Sequence, residues 1–394
     1  MALPPADPSS GILSRSWHLS AWALANALFL VKYGTRVHLL LPFAGAVVIA
    51  IGLAAAIWTG RVLERRGGLA ILPWFILALF LGSSAIGFHA LPVSSIRVDR
   101  FDMIDLFWEN LRSGIDPYTP RIPGVTSIPS QFPSYFLLAY PFHLVGEIGW
   151  ISVLSIAAIG WILWRRADSP GNKAFAMALL LLSPALWWEI LCRSTIFAGS
   201  VLCLVAMVPL LRRPTVAPGL LTALFLGLVT STRSVVLQMI IPMALPLALR
   251  DPRRWIVPAL TWCVIPVATI APLLLLLGLR LWNPFEVNSM FLPAWIPVAI
   301  LIGSTSVASL RSDWRWSLSV MLLGLDLLVV AYAGIVVHEA GWRAALFGSR
   351  LDISYFLIGS PFHLFLWATP KEGVCYSPTS SGPWAEFRES LRDQ

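Results

Sequence analysis

The sequence predicts an all-α, polytopic transmembrane helical bundle of about twelve spans. Three observations carry that expectation. Of the 394 residues, 57% are hydrophobic and only 12% are charged, about half the charged share of a soluble domain. Apolar runs of roughly 17 or more residues recur along the whole chain, the length a helix needs to cross hydrocarbon. Basic residues fall in short connections at every second turn of the chain, a pattern that the positive-inside rule ties to the cytoplasmic face.

Taken in order, residues 1–16 lack the basic, apolar and small-residue succession of a cleaved signal peptide. They are expected as a disordered tail, with Arg15 just before the first span. The transmembrane domain then covers 17–369. Its spans are expected near 17–33, 38–59, 70–90, 148–164, 174–190, 195–211, 218–231, 234–249, 255–278, 290–310, 315–337 and 352–368. A large polar loop, 91–131, interrupts them. The segment 132–147 is too short and proline-broken for a comfortable span and reads as an interfacial or re-entrant helix. Residues 370–394 read as a cytoplasmic tail.

The basic connections are Arg61/Arg65/Arg66, Arg165/Arg166/Lys173, Arg212/Arg213, Arg250/Arg253/Arg254 and Arg311/Arg315. The opposite, extracytoplasmic side collects the other polar chemistry: the 91–131 loop, Glu189 with Arg193, Arg233, Glu286, His338 with Glu339, Arg343, Arg350 and Asp352. Orientation in the membrane accounts for the net charge of +8. No basic run with interleaved aromatics is present, so nucleic acid is not an expected partner. The four cysteines form no CxxC pair, which argues against a disulfide framework or a thiolate metal site. The stretch HEAGW at His338 is not the zinc motif HExxH. Many of the 19 tryptophans, such as Trp187, Trp188, Trp282 and Trp295, lie near span ends, as interfacial anchors do.

Asp99, Asp102, Asp105, Glu109 and Asp116, five of the chain's 20 acidic residues, crowd into the 91–131 loop. Asp99 precedes the stretch Arg100 to Arg112, which has apolar residues at Phe101, Ile104, Phe107, Trp108 and Leu111. That spacing predicts an amphipathic interfacial helix. Asp99 stands at its N-cap position, where capping and chemistry are both open to a carboxylate. Asp102, Asp105 and Glu109 share the face opposite the apolar one. Ser113-Gly114 ends the helix and Pro117 prevents its continuation. Pro120, Pro123, Pro129 and Pro133 then make a stiff, extended loop.

This order of span, external Asp, amphipathic helix, G-x-D-P-Y, proline-rich loop and aromatic-proline helix resembles the GT-C superfamily. Those are integral-membrane glycosyltransferases that use a polyprenyl-phosphate-linked sugar, among them the bacterial polyprenyl-phosphomannose-dependent mannosyltransferases. SPALWWEILCRSTIFAGSVL, with Glu189 and Arg193, is similar to a helix-pair junction of that family. GLVTSTRSVVLQMIIPMALPLALRDPRR, with Arg233, is similar to another of its helix pairs. YFLIGSPF, around Tyr355 and Pro361, is similar to the family's last span. The likeness runs loosely over residues 70–368. Two spans precede the one entering the loop, where the family commonly has none. Asp102 and Asp105 both compete for its second acidic position.

The resemblance implies a polyprenyl-phosphate sugar donor, a glycolipid or glycan acceptor, membrane lipids as surroundings and a site on the extracytoplasmic side of the cell membrane. It implies that Asp99 or Asp102 is the base that takes the acceptor's proton. Gly114, Pro117 and Tyr118 match the family's turn. The leaving lipid phosphate calls for a guanidinium, and Arg233, Arg193 and Arg343 are the outward candidates. Arg233 is favoured because it interrupts an apolar hairpin, where charge is expensive. Glu189, Tyr118, His338 and Glu339 are candidates for sugar or acceptor contacts, with helix capping as the other role of the His338-Glu339 pair. The resemblance implies no cofactor or metal, and a divalent cation is left open. A transporter or flippase of a lipid-linked or small polar solute is the alternative. It calls for ionisable groups in mid-span and an internal repeat. Asp326 is the main such group and no repeat stands out. A membrane scaffold and a relative of the polysaccharide polymerases are further alternatives.

Overall fold

A computed structural model of the chain describes residues 14–66, 69–92, 100–119, 131–212, 220–250, 252–277, 292–311, 314–348 and 350–369. Among these residues every regular element is a helix. Helix α1 (Arg15–Phe29) starts where the Ser14 hydroxyl accepts from Trp17 N at 3.2 Å, and it runs through a π-helical turn (Leu30–Gly34). Then come α2 (Leu41–Arg65), α3 (Leu72–Ala90), α4 (Arg100–Arg112), α5 (Pro133–Val145) and α6 (Trp150–Arg166). They are followed by α7 (Pro170–Leu181), α8 (Pro184–Leu191), α9 (Ile196–Arg212), α10 (Leu220–Thr230) and α11 (Val235–Arg250). The last are α12 (Pro252–Leu277), α13 (Trp295–Ser309), α14 (Trp314–Phe347) and, after a 3₁₀ turn (Ile353–Leu357), α15 (Ser360–Ala368). The tails, the 120–130 part of the acidic loop and Asp99 lie outside the described residues.

By length and composition α2, α3 and α14 are long and apolar enough to cross a membrane. Two broken pairs, α5 with α6 and α7 with α8, pass the same test together, which raises the number among the described residues to five. The helices fall where the apolar runs predict them, yet several are shorter than a crossing. Helix α10 has 11 residues, roughly 16 Å of helix against about 30 Å of hydrocarbon. Proline is one physical reason. Pro184 follows the Leu182-Ser183 break between α7 and α8, and the two helices meet there at 46°. Between α5 and α6 the break falls at Gly146, whose φ of +83° ends α5, and the two helices lie at 111°.

The core is centred on the last segment. All nine residues of α15 are buried, with α1, α6 and α9 packed around it. A helix that is apolar apart from Ser360 and His363 belongs in such a place. Helix α2 is the opposite case, turning Phe43, Val47, Val48, Ile51 and Trp58 outward, a surface suited to hydrocarbon.

Polar contacts at the helix ends join segments that the charge pattern assigns to one side. On the basic side, Arg15 pairs with Asp168 at 3.2 Å. There the Asn172 amide, and then the Arg15 guanidinium, hold the Asp168 carboxyl below its usual range against the opposing effect of burial. Arg315 donates to Thr369 O at 3.4 Å. On the other side, Arg36 donates to Phe347 O at 2.8 Å, and Lys32 donates to the Leu351 carbonyl at 2.5 Å.

Helix α2 is held to α7 by close backbone approach at Gly60. A methyl group there would meet Pro170 O at 2.5 Å and Ala174 Cβ at 2.7 Å. Neither atom can swing aside, so Gly60→Ala is expected to destabilise the bundle by about 1–3 kcal/mol. Gly82 of α3 has nothing within 4 Å, and Gly82→Ala should be neutral or mildly stabilising. Thermal unfolding of the two variants in detergent checks the contrast.

Candidate functional site

The acidic helix α4 is built as its spacing predicts. Ile104, Phe107 and Trp108 are buried, and Phe107 stacks on Phe136 of α5 at 3.8 Å between ring centroids. Trp108 packs on Tyr140 at 4.3 Å. Gly114 takes a φ of +68° just past the last turn, and Ile115 N returns to Asn110 O at 2.9 Å, the left-handed ending that glycine favours. Asn110 Nδ2 holds the outgoing turn by donating to Thr119 O at 2.9 Å.

On the wet face the acids separate. Asp105 is bound to His143 Nδ1 at 2.8 Å, while Asp102 is exposed. The competition between Asp102 and Asp105 thus divides by environment, with Asp105 tied to α5 and Asp102 open to a ligand. Tyr118 is buried against Phe107 and donates to Gln131 O at 3.0 Å. Burial, and then the neighbouring Asp116 charge, push its phenol up. Its hydroxyl closes the two ends of the loop together inside the fold.

The loop returns at Gln131 onto two other chain reversals. Phe132 N donates to Thr232 O at 3.0 Å, and Ser231 Oγ donates to Ser134 Oγ at 2.7 Å, which pins the start of α5 to the α10–α11 turn. Tyr135 shares a hydrogen bond with Thr195 of the α8–α9 turn. Arg233 completes this junction. Its Nη2 donates to Thr195 Oγ1 at 3.0 Å, and its guanidinium carbon stands 5.0 Å from the centroid of the Tyr135 ring. Its Nε is buried with no hydrogen-bond partner, as is Gln131 Oε1. Among the described residues no carboxylate forms an ion pair with Arg233. The junction therefore presents a half-buried cation with unused donor capacity, a place for an anion.

Arg193, two residues before Thr195, is arranged differently. Its side chain is 2% exposed. Nε and Nη2 clasp the Glu147 carboxylate at 3.2 and 3.1 Å, Nη1 donates to Leu191 O at 2.6 Å and Nη2 to Phe88 O at 3.3 Å. The clasp joins the ends of α3, α6 and α8. Its backbone has a φ of +52°, costing roughly 1–2 kcal/mol for a residue with a side chain. The surrounding bonds enforce it. Ser194 N donates to Glu189 O at 2.8 Å and Ser152 Oγ donates to Ser194 O.

Glu189 is fully buried, and its carboxylate accepts from Phe197 N at 3.3 Å in the first turn of α9. That bond satisfies an amide at a helix start. His338, Glu339 and Arg343 lie exposed around the break at Gly341, where α14 has a φ of +77°. They stand near the end of α1, and no hydrogen bond or ion pair among the described residues links them to Arg233. The structure thus brings Arg233 and Arg193 to one pair of turns, and it spreads the other candidates over α4, α8 and the end of α14.

Thr195, Tyr135, Gln131 and Glu147 were not singled out by sequence reasoning. Glu147 carries a usable signal, being the one acidic residue between Asp116 and Asp168. The others are ordinary polar residues at span ends, and only the fold assembles them. Comparison with models of protein families, with curated proteins and with solved structures finds no match.

Proposed function

We propose that the chain is a multi-pass membrane glycosyltransferase. It moves a sugar from a polyprenyl-phosphate donor to a glycolipid or glycan acceptor on the extracytoplasmic side. In this reading the shorter and broken helices complete a bundle of about twelve crossings, and the acidic loop lies over the external mouth. The observation that carries it is Arg233. A guanidinium on an aromatic ring, with a buried unpaired Nε and no carboxylate partner among the described residues, suits a lipid phosphate at the edge of hydrocarbon. The phosphate leaves as the acceptor attacks, and the fixed cation stabilises the charge it gains. Asp102, on the helix that packs against α5, is the described carboxylate open to take the acceptor's proton, and Asp99 shares that assignment. The Arg193–Glu147 clasp holds the turn that carries Thr195, and so orients Arg233.

Binding of sugar-free polyprenyl phosphate tests the site directly. Arg233→Lys keeps the charge but loses the planar fork. It is expected to weaken binding about tenfold, roughly 1.4 kcal/mol, and Arg233→Met should weaken it further. Equal affinity in all three proteins removes Arg233 from the site.

One observation favours a second reading, a proton-coupled transporter or flippase. Asp326 of α14 is bonded to His363, and His363 to His18. Ionisable groups inside a spanning bundle commonly mark such pathways.

A further inference from the structure

Three ionisable side chains from three helices make one hydrogen-bonded chain inside the bundle. His18 of α1 and His363 of α15 meet Nδ1 to Nδ1 at 3.0 Å, and His363 Nε2 meets Asp326 Oδ1 of α14 at 3.3 Å. Both imidazoles are almost fully buried, at 3% and 2% exposure. The Asp326 side chain is 30% exposed, but its Oδ2 is buried with no hydrogen-bond partner, so one end of the chain is an orphaned carboxylate oxygen.

Two arrangements of the protons satisfy every bond of the chain. A neutral imidazole has one N–H and one acceptor nitrogen. With Asp326 ionised, His363 donates from Nε2 and accepts at Nδ1, so His18 donates from Nδ1 and its Nε2 is bare. The mirror arrangement is equally complete. There Asp326 is protonated and donates to His363 Nε2, His363 donates from Nδ1, and His18 carries its proton on Nε2. Passing from the first to the second takes up one proton at His18 Nε2. The His18 Nδ1–H bond breaks as the His363 Nδ1–H bond forms, and the His363 Nε2–H bond breaks as the Asp326 O–H bond forms. Both imidazoles end neutral, and the negative charge of the half-buried Asp326 is removed.

The chain also has a direction. His18 lies within a turn of Arg15, whose pair with Asp168 is open to solvent on the basic side. Asp326 lies about twelve residues into α14, roughly 18 Å along its axis. The other ionisable groups on the packed elements make contacts of their own. Arg166 of α6 stands over the Phe365 ring at 5.4 Å, Lys173 of α7 over Trp164 at 5.6 Å, and Arg315 of α14 donates to Thr369 O. Cys203 of α9 contacts Met207 Sδ at 3.7 Å, and Tyr332 of α14 meets Tyr355 edge-on.

We propose that His18, His363 and Asp326 form a proton-uptake site, loaded at His18 from the basic side of the bundle and ending on Asp326. Loading links the pH on that side to the packing of α1, α14 and α15, since only the unloaded form keeps a charge between them. The site needs neither sugar donor nor acceptor, so it stands or falls apart from the transfer reaction.

The test uses purified full-length protein in lipid nanodiscs without donor or acceptor, taken between about pH 8 and pH 5. Infrared difference spectra read protonated carboxyl groups, and nitrogen-15 spectra of labelled histidines read the tautomers. A protonated-carboxyl band should grow as pH falls, vanish in Asp326→Asn, and grow together with a tautomer switch at two histidines. The absence of an Asp326-dependent band overturns the proposal, as do histidines that switch identically in Asp326→Asn. His18→Gln leaves His363 and Asp326 in place and removes only the entrance. After a pH jump its band should form at least about tenfold more slowly, about 1.4 kcal/mol of barrier, and an unchanged rate overturns loading through His18.

Discussion

Asp102→Asn is expected to lower sugar transfer by about 10²- to 10⁴-fold, the usual contribution of a general base, with folding and membrane insertion intact. The carboxylate is exposed, and among the described residues no other side chain is bonded to it, so the amide has nothing there to disrupt. Asp105→Asn should differ in kind. Asp105 is bonded to His143 at 2.8 Å, and its loss loosens α4 on α5 without removing a base. Asp99 precedes α4 in sequence, and Asp99→Asn belongs in the same experiment. Initial rates at saturating donor separate the three. A full loss in Asp99→Asn with Asp102→Asn active moves the base to Asp99.

Arg193→Met is expected to cost about 3–5 kcal/mol of stability, because it leaves the Glu147 carboxylate half-buried without its cation. Among the described residues, Gly149 N, at 2.9 Å from Glu147 Oε1, is the bond that carboxylate keeps. Met and Gln together at 193 and 147 should recover part of the loss, since the double change leaves no unpaired charge. Unfolding in detergent measures all three variants. Unchanged stability in Arg193→Met, with donor affinity lost, would return Arg193 to the phosphate.

Much of this architecture was legible in the chain. The apolar runs located the helices, although several are shorter than hydrocarbon length and helical rise require of a crossing. The capping logic at Ser113-Gly114 ended α4 where the structure ends it, at Arg112. Arg233 stood out because a cation inside an apolar hairpin needs a reason. What the sequence hid lies in contacts between distant segments. Nothing local says that Arg193 will turn inward to Glu147, 46 residues earlier, and not toward a ligand. The same holds for Tyr118, whose hydroxyl closes its own loop. Asp326 was visible as a lone mid-span acid, but its partner His363 meets a histidine 345 residues away. Helix breaks are also weakly written. Pro184 marks one break and Gly146 the other, yet whether the pieces continue at 46° or turn by 111° is set by the neighbours they pack against.

The central claim is that this bundle transfers sugar from a lipid phosphate. The most direct measurement offers purified protein in lipid a set of labelled polyprenyl-phosphate sugars and a mixed glycolipid acceptor extract, beside Asp99→Asn, Asp102→Asn and Arg233→Lys. The predicted result is donor-dependent label on acceptor, lost with one aspartate variant and needing more donor with Arg233→Lys. Movement of donor across the bilayer with no label on any acceptor would contradict it and make the protein a flippase.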